Sequence, residues 1–108
     1  MARFVRRSWG WYFVLLNFRH FKVKLLRFSR GTSLSYQYHS YRSELWLFLS
    51  GVGMFTREIS DFCCAGGDFA FVDIGDRHSF NASLPTWVIE IQYGKECNEE
   101  DIVRIKKQ

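Results

Sequence analysis

Proline occurs once in 108 residues, and no segment carries a sustained helical period, so neither a proline-rich linker nor a helical bundle is expected. Cysteine is sparse and odd in number, with Cys63, Cys64 and Cys97 the only three. That count supports neither a disulfide framework nor an all-cysteine zinc site, which needs a fourth thiolate. On a strand the adjacent Cys63 and Cys64 would point to opposite faces. No apolar run reaches the length of a membrane span. The stretch Trp11–Leu16, which follows three early arginines, gives way to Asn17, Arg19 and His20 rather than to a small-residue cleavage site. Repeats and low-complexity tracts are also missing, and cytoplasmic residence is the expected default.

Aromatic residues are abundant instead, at 19%, with 11 phenylalanines. A chain this rich in aromatics should fold, and its length suits one domain spanning 1–108. The net charge of +4 is concentrated toward the start, while Glu96–Asp101 is acidic. No nucleic-acid motif accompanies the basic strip, so it reads as a solvated face.

Short apolar segments recur between turn signals: Trp11–Leu16, Phe21–Phe28, Leu34–His39, Glu44–Ser50, Val52–Thr56, Asp61–Cys64, Phe69–Val72, His78–Phe80 and Thr86–Gln92. Turns are marked at Arg30-Gly31, Ser50-Gly51, Gly66-Gly67, Gly75-Asp76 and Leu84-Pro85. This is the pattern of a sandwich, jelly roll or barrel. Alternation sets Phe21, Val23 and Leu25 on one face and Lys22 and Lys24 on the other. The same period gathers Ser35, Gln37 and His39 on one face of the third segment. Asn98–Ile105 reads as a short C-terminal helical turn capped by Asn98.

The chemistry gathers between Gly31 and Gly51. A glycine turn precedes a strand with Gln37 and His39 at alternate positions, and Glu44 opens the next strand. This arrangement resembles the first motif of the cupins, and Gly67–His78 resembles the second. The resemblance implies an all-β, single-domain cupin, a small double-stranded β-helix or jelly-roll barrel. It also implies that Gln37, His39, Glu44 and His78 hold a divalent metal in the mouth. Two imidazoles, a carboxylate and an amide oxygen suit zinc first, with manganese, cobalt, nickel or iron also compatible.

The run Gln-x-His-x-x-Arg-x-Glu-x-Trp from Gln37 to Trp46 is similar to the isomerase domain of type II phosphomannose isomerases. Arg7-Ser8-Trp9-Gly10, Phe21–Lys24, Ile89–Gly94 and Glu100–Arg104 extend the similarity over essentially the whole chain. It implies interconversion of mannose 6-phosphate and fructose 6-phosphate. Glu90 is then the candidate proton-transfer group, although a strand carboxylate there could equally be the partner of Lys22 or Lys24. Arg42, Lys22 and Lys24 are candidate phosphate partners on chemical grounds. The family pattern is broken at Ser8, Ser40-Tyr41, Leu45, Asp73 and Asn81-Ala82. These changes fall around the ligands rather than on them. No Gly-rich phosphate loop is present, so guanylyl transfer is not expected.

Two other readings remain open: a non-catalytic metal- and sugar-binding cupin, and a metal-dependent oxygenase, against which Gln37 as a fourth donor argues. The expected partners are a sugar phosphate and a second copy paired through edge strands, with neither nucleic acid nor membrane.

Overall fold

The computed structural model describes residues 3–105. Among them are eleven strands: β1 (Phe4–Arg7), β2 (Gly10–Asn17), β3 (Phe21–Phe28), β4 (Ser33–Tyr38), β5 (Arg42–Ser50), β6 (Val52–Arg57), β7 (Ser60–Ala65), β8 (Phe69–Val72), β9 (His78–Ala82), β10 (Thr86–Gly94) and β11 (Val103–Arg104). They form two antiparallel sheets. One has six strands in the order β1-β2-β3-β10-β5-β8, and the other has five in the order β11-β4-β9-β6-β7. Consecutive elements repeatedly cross between the sheets, which wraps the chain into the expected barrel.

Alternation along the strands decides what the barrel contains. On β3 the inward residues are Lys22, Lys24, Leu26 and Phe28; on β10 they are Thr86, Val88, Glu90 and Gln92; on β5 they include Glu44, Trp46 and Phe48. Cross-strand register stacks these into layers. Leu26, Val88 and Phe48 make one layer, Lys24, Glu90 and Trp46 the next, and Lys22, Gln92 and Glu44 the one after. The interior is therefore graded along its length, apolar at one end and charged at the other.

The apolar end is an aromatic cluster. Phe80, fully buried, has its ring 5.0 Å from that of Phe28 and 5.3 Å from that of Phe48, and Phe55 and Trp46 close the group. Gly51 makes the tight turn by which β5 crosses into β6 of the other sheet possible. Its φ is +92°, and a Cβ there would run into the Pro85 carbonyl and Thr86. Cys63 is exposed and Cys64 buried, on opposite faces of β7 as alternation requires.

Two segments differ from the sequence expectation. β1 carries consecutive arginines and no alternating apolar signal, yet it pairs along its whole length with β2. Asn98–Ile105 forms no helix. Asn98 does cap a turn, its Oδ1 accepting the Glu100 amide and its carbonyl the Asp101 amide. Beyond it the chain extends, and Val103 and Arg104 pair with Tyr38 and Gln37 of β4. One turn of helix would gain few hydrogen bonds, whereas extension satisfies the backbone of an otherwise open sheet edge.

Candidate metal centre

His39 follows the end of β4, Glu44 lies near the start of β5, and His78 opens β9. Their ligating atoms all lie within 4.8 Å of one another, and all three side chains are buried. His39 Nε2 is 3.1 Å from Glu44 Oε2, and His78 Nε2 is 3.7 Å from Glu44 Oε1. The site spans both sheets, because the imidazoles come with the five-stranded sheet and the carboxylate with the six-stranded one.

Each imidazole is fixed through its other nitrogen. His39 Nδ1 lies 2.7 Å from the Asp101 carbonyl and His78 Nδ1 lies 3.1 Å from the Asp76 carbonyl, so both donate from Nδ1 and turn Nε2 inward. His78 Nε2, fully buried, has no hydrogen-bond partner among the described residues. His39 Nε2 meets Glu44 as a donor while the imidazole is protonated, with the Arg42 guanidinium 3.5 Å from the same nitrogen, and a bound cation would take the place of that proton and supply the partner His78 Nε2 lacks. This is the arrangement that metal-binding histidines show, with a backbone carbonyl fixing the tautomer. The donor set thus fits a divalent metal.

Glu44 keeps capacity for such an ion. Its Oε1 accepts Trp46 Nε1–H at 3.0 Å and its Oε2 accepts Arg42 Nε–H at 2.9 Å, while each carboxylate oxygen offers two lone-pair sites. Burial pushes its pKa up, but the hydrogen bond and charge of His39, with Arg42 and His78 behind them, hold it well below the ordinary value. For His39 burial acts downward and is outweighed by the bond to Glu44, so its pKa is raised; for His78 burial prevails and lowers it.

Gln37 is buried beside the triad, directly opposite His78 in the β4–β9 register. Its Oε1 accepts the Ser35 hydroxyl at 2.9 Å. Gln37, Arg42 and Glu44 also line a cavity of about 170 Å³ that continues to Lys24, Glu90 and Glu99. His39 and His78 lie outside its lining. Glu90 therefore faces the same space as Gln37 and Glu44. Burial, then the charge of Glu44, raises its pKa to about 7 against the pull of Lys24 and Arg42. Gln92 Nε2 donates to Glu90 Oε1 at 2.8 Å, and Lys24 Nζ is 3.7 Å away.

The three candidate phosphate partners are all engaged within the protein. Lys22 and Lys24 donate to the two oxygens of Glu99, at 2.9 and 3.0 Å, and Lys22 does not line the cavity. Lys24 also lies 3.8 Å from the centre of the Tyr12 ring. Arg42 bonds Glu44 and, at 2.7 Å, the Asn98 carbonyl. Sequence reasoning missed Glu99, which sits in the segment read as a helical turn, and pointed to Asp101 and the cavity-lining Arg104 only through their place in the Glu100–Arg104 run. Arg7 also lines the cavity, and only its place in the Arg7–Gly10 run pointed to it.

The architecture is that of a cupin. A protein from Klebsiella pneumoniae described as having a double-stranded β-helix domain superposes with a TM-score of 0.78 at 16% identity, over 98% of this chain and 87% of that one. A protein from Acidithiobacillus ferrooxidans provisionally named a sugar phosphate isomerase gives a TM-score of 0.63 at 26% identity, over 69% of this chain and 51% of that one. Residues 1–107 match the family described as mannose-6-phosphate isomerase C-terminal, and the chain belongs to that family. A mannose-1-phosphate guanylyltransferase of Klebsiella pneumoniae is 34% identical over 98% of this chain. The chain spans 23% of that relative's length. No helix among the described residues is long and apolar enough to cross a membrane.

Proposed function

We propose that this cupin is a metal-dependent isomerase interconverting mannose 6-phosphate and fructose 6-phosphate. The observation that carries the reading is the convergence of His39 Nε2 and His78 Nε2 on Glu44, at the wall of a cavity that also exposes Glu90. Membership of the mannose-6-phosphate isomerase C-terminal family supports the choice of substrate.

His39, Glu44 and His78 would hold the cation, with Gln37 as a further oxygen donor. The chemistry such a cation supplies is Lewis-acid polarisation of the sugar carbonyl. Glu90 takes the proton from C2 of the open-chain aldose and returns it to C1, while a hydroxyl proton passes from O2 to O1, so the carbonyl moves from C1 to C2 and no atom is gained or lost. Gln92 orients the Glu90 carboxylate through its amide. Arg42 and Lys24 face the cavity as cations for the phosphate, joined there by Arg7 and Arg104.

A second reading is a binding cupin that holds metal and sugar without turnover. It is favoured by Glu99, whose carboxylate already occupies both lysines. Conversion of mannose 6-phosphate by the purified chain, stripped of metal and then supplied with zinc, manganese or cobalt, separates the two. Turnover that requires metal and disappears in His39→Ala and Glu90→Gln is expected. Stoichiometric metal binding without turnover under any metal would leave the binding module.

A further inference from the structure

Lys22 and Lys24 follow one another on the inward face of β3 and reach the same carboxylate. Glu99, from the turn between β10 and β11, accepts Lys22 on Oε2 at 2.9 Å and Lys24 on Oε1 at 3.0 Å, with the Tyr12 hydroxyl 3.4 Å from Oε1. Both lysine side chains are closed off, at 6% and 7% exposed, whereas that of Glu99 is 35% exposed.

These groups do not stand alike toward the cavity. Tyr12, Lys24 and Glu99 line it, and Lys22 does not. The carboxylate therefore lies between a cation that an entering ligand meets and a cation that it does not. The backbone on either side of Glu99 is held independently. The Asn98 carbonyl accepts Arg42 Nη1 at 2.7 Å, and the Asp101 carboxylate accepts the amides of Ser40 and Tyr41. Within the turn, Asn98 accepts the amides of Glu100 and Asp101. None of these bonds involves the Glu99 side chain, so its torsions can change without unmaking the turn.

We infer that Glu99 is a displaceable internal anion that sets which ligands the cavity admits: an entering phosphate takes Lys24, and the carboxylate withdraws to Lys22. The inference rests on the sugar-phosphate reading above and adds a source of selectivity to it. A ligand carboxylate would exchange one monoanion for another at Lys24 and gain little. A phosphate ester dianion brings more charge and more acceptor oxygens, which Lys24 and the cavity-lining Arg42, Arg7 and Arg104 can share. Lys22 makes the exchange less costly, because Glu99 stays paired after leaving Lys24 instead of remaining as a half-buried charge without a partner. The apparent affinity for any anion is lowered by the fraction of molecules in which Lys24 is already occupied.

The test is calorimetric titration of the purified chain with inorganic phosphate, mannose 6-phosphate and glucuronate, a monoanionic sugar acid. Wild type should bind glucuronate at least about tenfold more weakly than mannose 6-phosphate. Glu99→Gln, shown to be folded by circular dichroism, should bind phosphate about tenfold more tightly and should gain at least as much for glucuronate. Glu96→Gln makes the same charge change in the same segment, on a carboxylate that faces Arg19 instead, and should leave both affinities unchanged. Lys22→Met should weaken phosphate binding about tenfold in the wild-type background and have no effect in Glu99→Gln, since its role is to receive the displaced carboxylate. An equal loss in both backgrounds would mean that Lys22 holds the phosphate itself and would overturn the inference. So would a phosphate affinity that Glu99→Gln does not raise. Failure of mannose 6-phosphate to bind, with the phosphate results as expected, would overturn the sugar-phosphate reading and leave the exchange at Lys24 supported.

Discussion

Asp101 holds the His39 segment in two ways: its carbonyl accepts the imidazole Nδ1–H at 2.7 Å, while its carboxylate accepts the amides of Ser40 and Tyr41 at 2.8 and 2.9 Å. The residue that fixes the tautomer thus also fixes the loop that carries the ring. Asp101→Ala keeps the carbonyl and removes both amide bonds. It should weaken metal binding by about tenfold while leaving the fold intact. Titration of the metal-free protein with zinc, read by calorimetry, checks this. Unchanged affinity would mean that the loop is positioned without the carboxylate.

Trp46 donates its indole N–H to Glu44 from inside the aromatic cluster, coupling the apolar end of the barrel to the charged end. Trp46→Phe retains most of the packing and deletes the donor. The expected cost is about 1–3 kcal/mol in urea unfolding, from the lost charged hydrogen bond and the small void. A drop in metal affinity should accompany it.

Glu99 gives the chain an acid-side sensitivity. Burial alone would raise its pKa, but Lys24 and Lys22 hold it at about 2 against an ordinary 4.5. A carboxylate depressed on folding contributes stability that is complete above its unfolded value and is lost as pH falls toward the folded one. Its side chain is 35% exposed, so solvent screening discounts the contribution to about 1–2 kcal/mol. Glu99→Gln should be less stable than wild type at neutral pH, and the gap should close between pH 4.5 and about 2. Urea melts of both proteins across that range are the measurement. A gap independent of pH would mean that the ion pairs contribute nothing.

Phe80 packs at the opposite end from the ionisable groups, with no exposed surface. Phe80→Ala should cost about 3–5 kcal/mol through lost burial and the cavity left behind. A loss below 1 kcal/mol, on the scale of a surface change, would contradict the packing described.

Much of this was legible in the sequence because the determining signals are local. Short apolar segments between turn signals marked nine of the strands, with a clear period of two at Phe21–Leu25 and Leu34–His39. The alternate spacing of Gln37 and His39, with Glu44 five residues on, marked the site. The direction of the β3 alternation was not legible locally: Phe21, Val23 and Leu25 look like a core face, yet Lys22 and Lys24 point inward. Only the partners from distant strands and from Glu99 make burial of the two lysines tolerable. β1 and β11 escaped for a related reason, since a short arginine-bearing strand is defined by the edge it pairs with rather than by its own composition.

The placement of the ligands on two different sheets has a mechanical consequence. An ion held by His39, His78 and Glu44 would act as a rivet through the seam at the polar end of the barrel, where no aromatic cluster binds the sheets together. Metal at a hundredfold excess over its dissociation constant should add about 2.7 kcal/mol to the unfolding free energy. The added resistance should be felt unevenly. Amide exchange near Glu44 and His78 should slow on metal binding and quicken on chelation, while amides around Phe48 and Phe55, already clamped by their rings, should hardly respond.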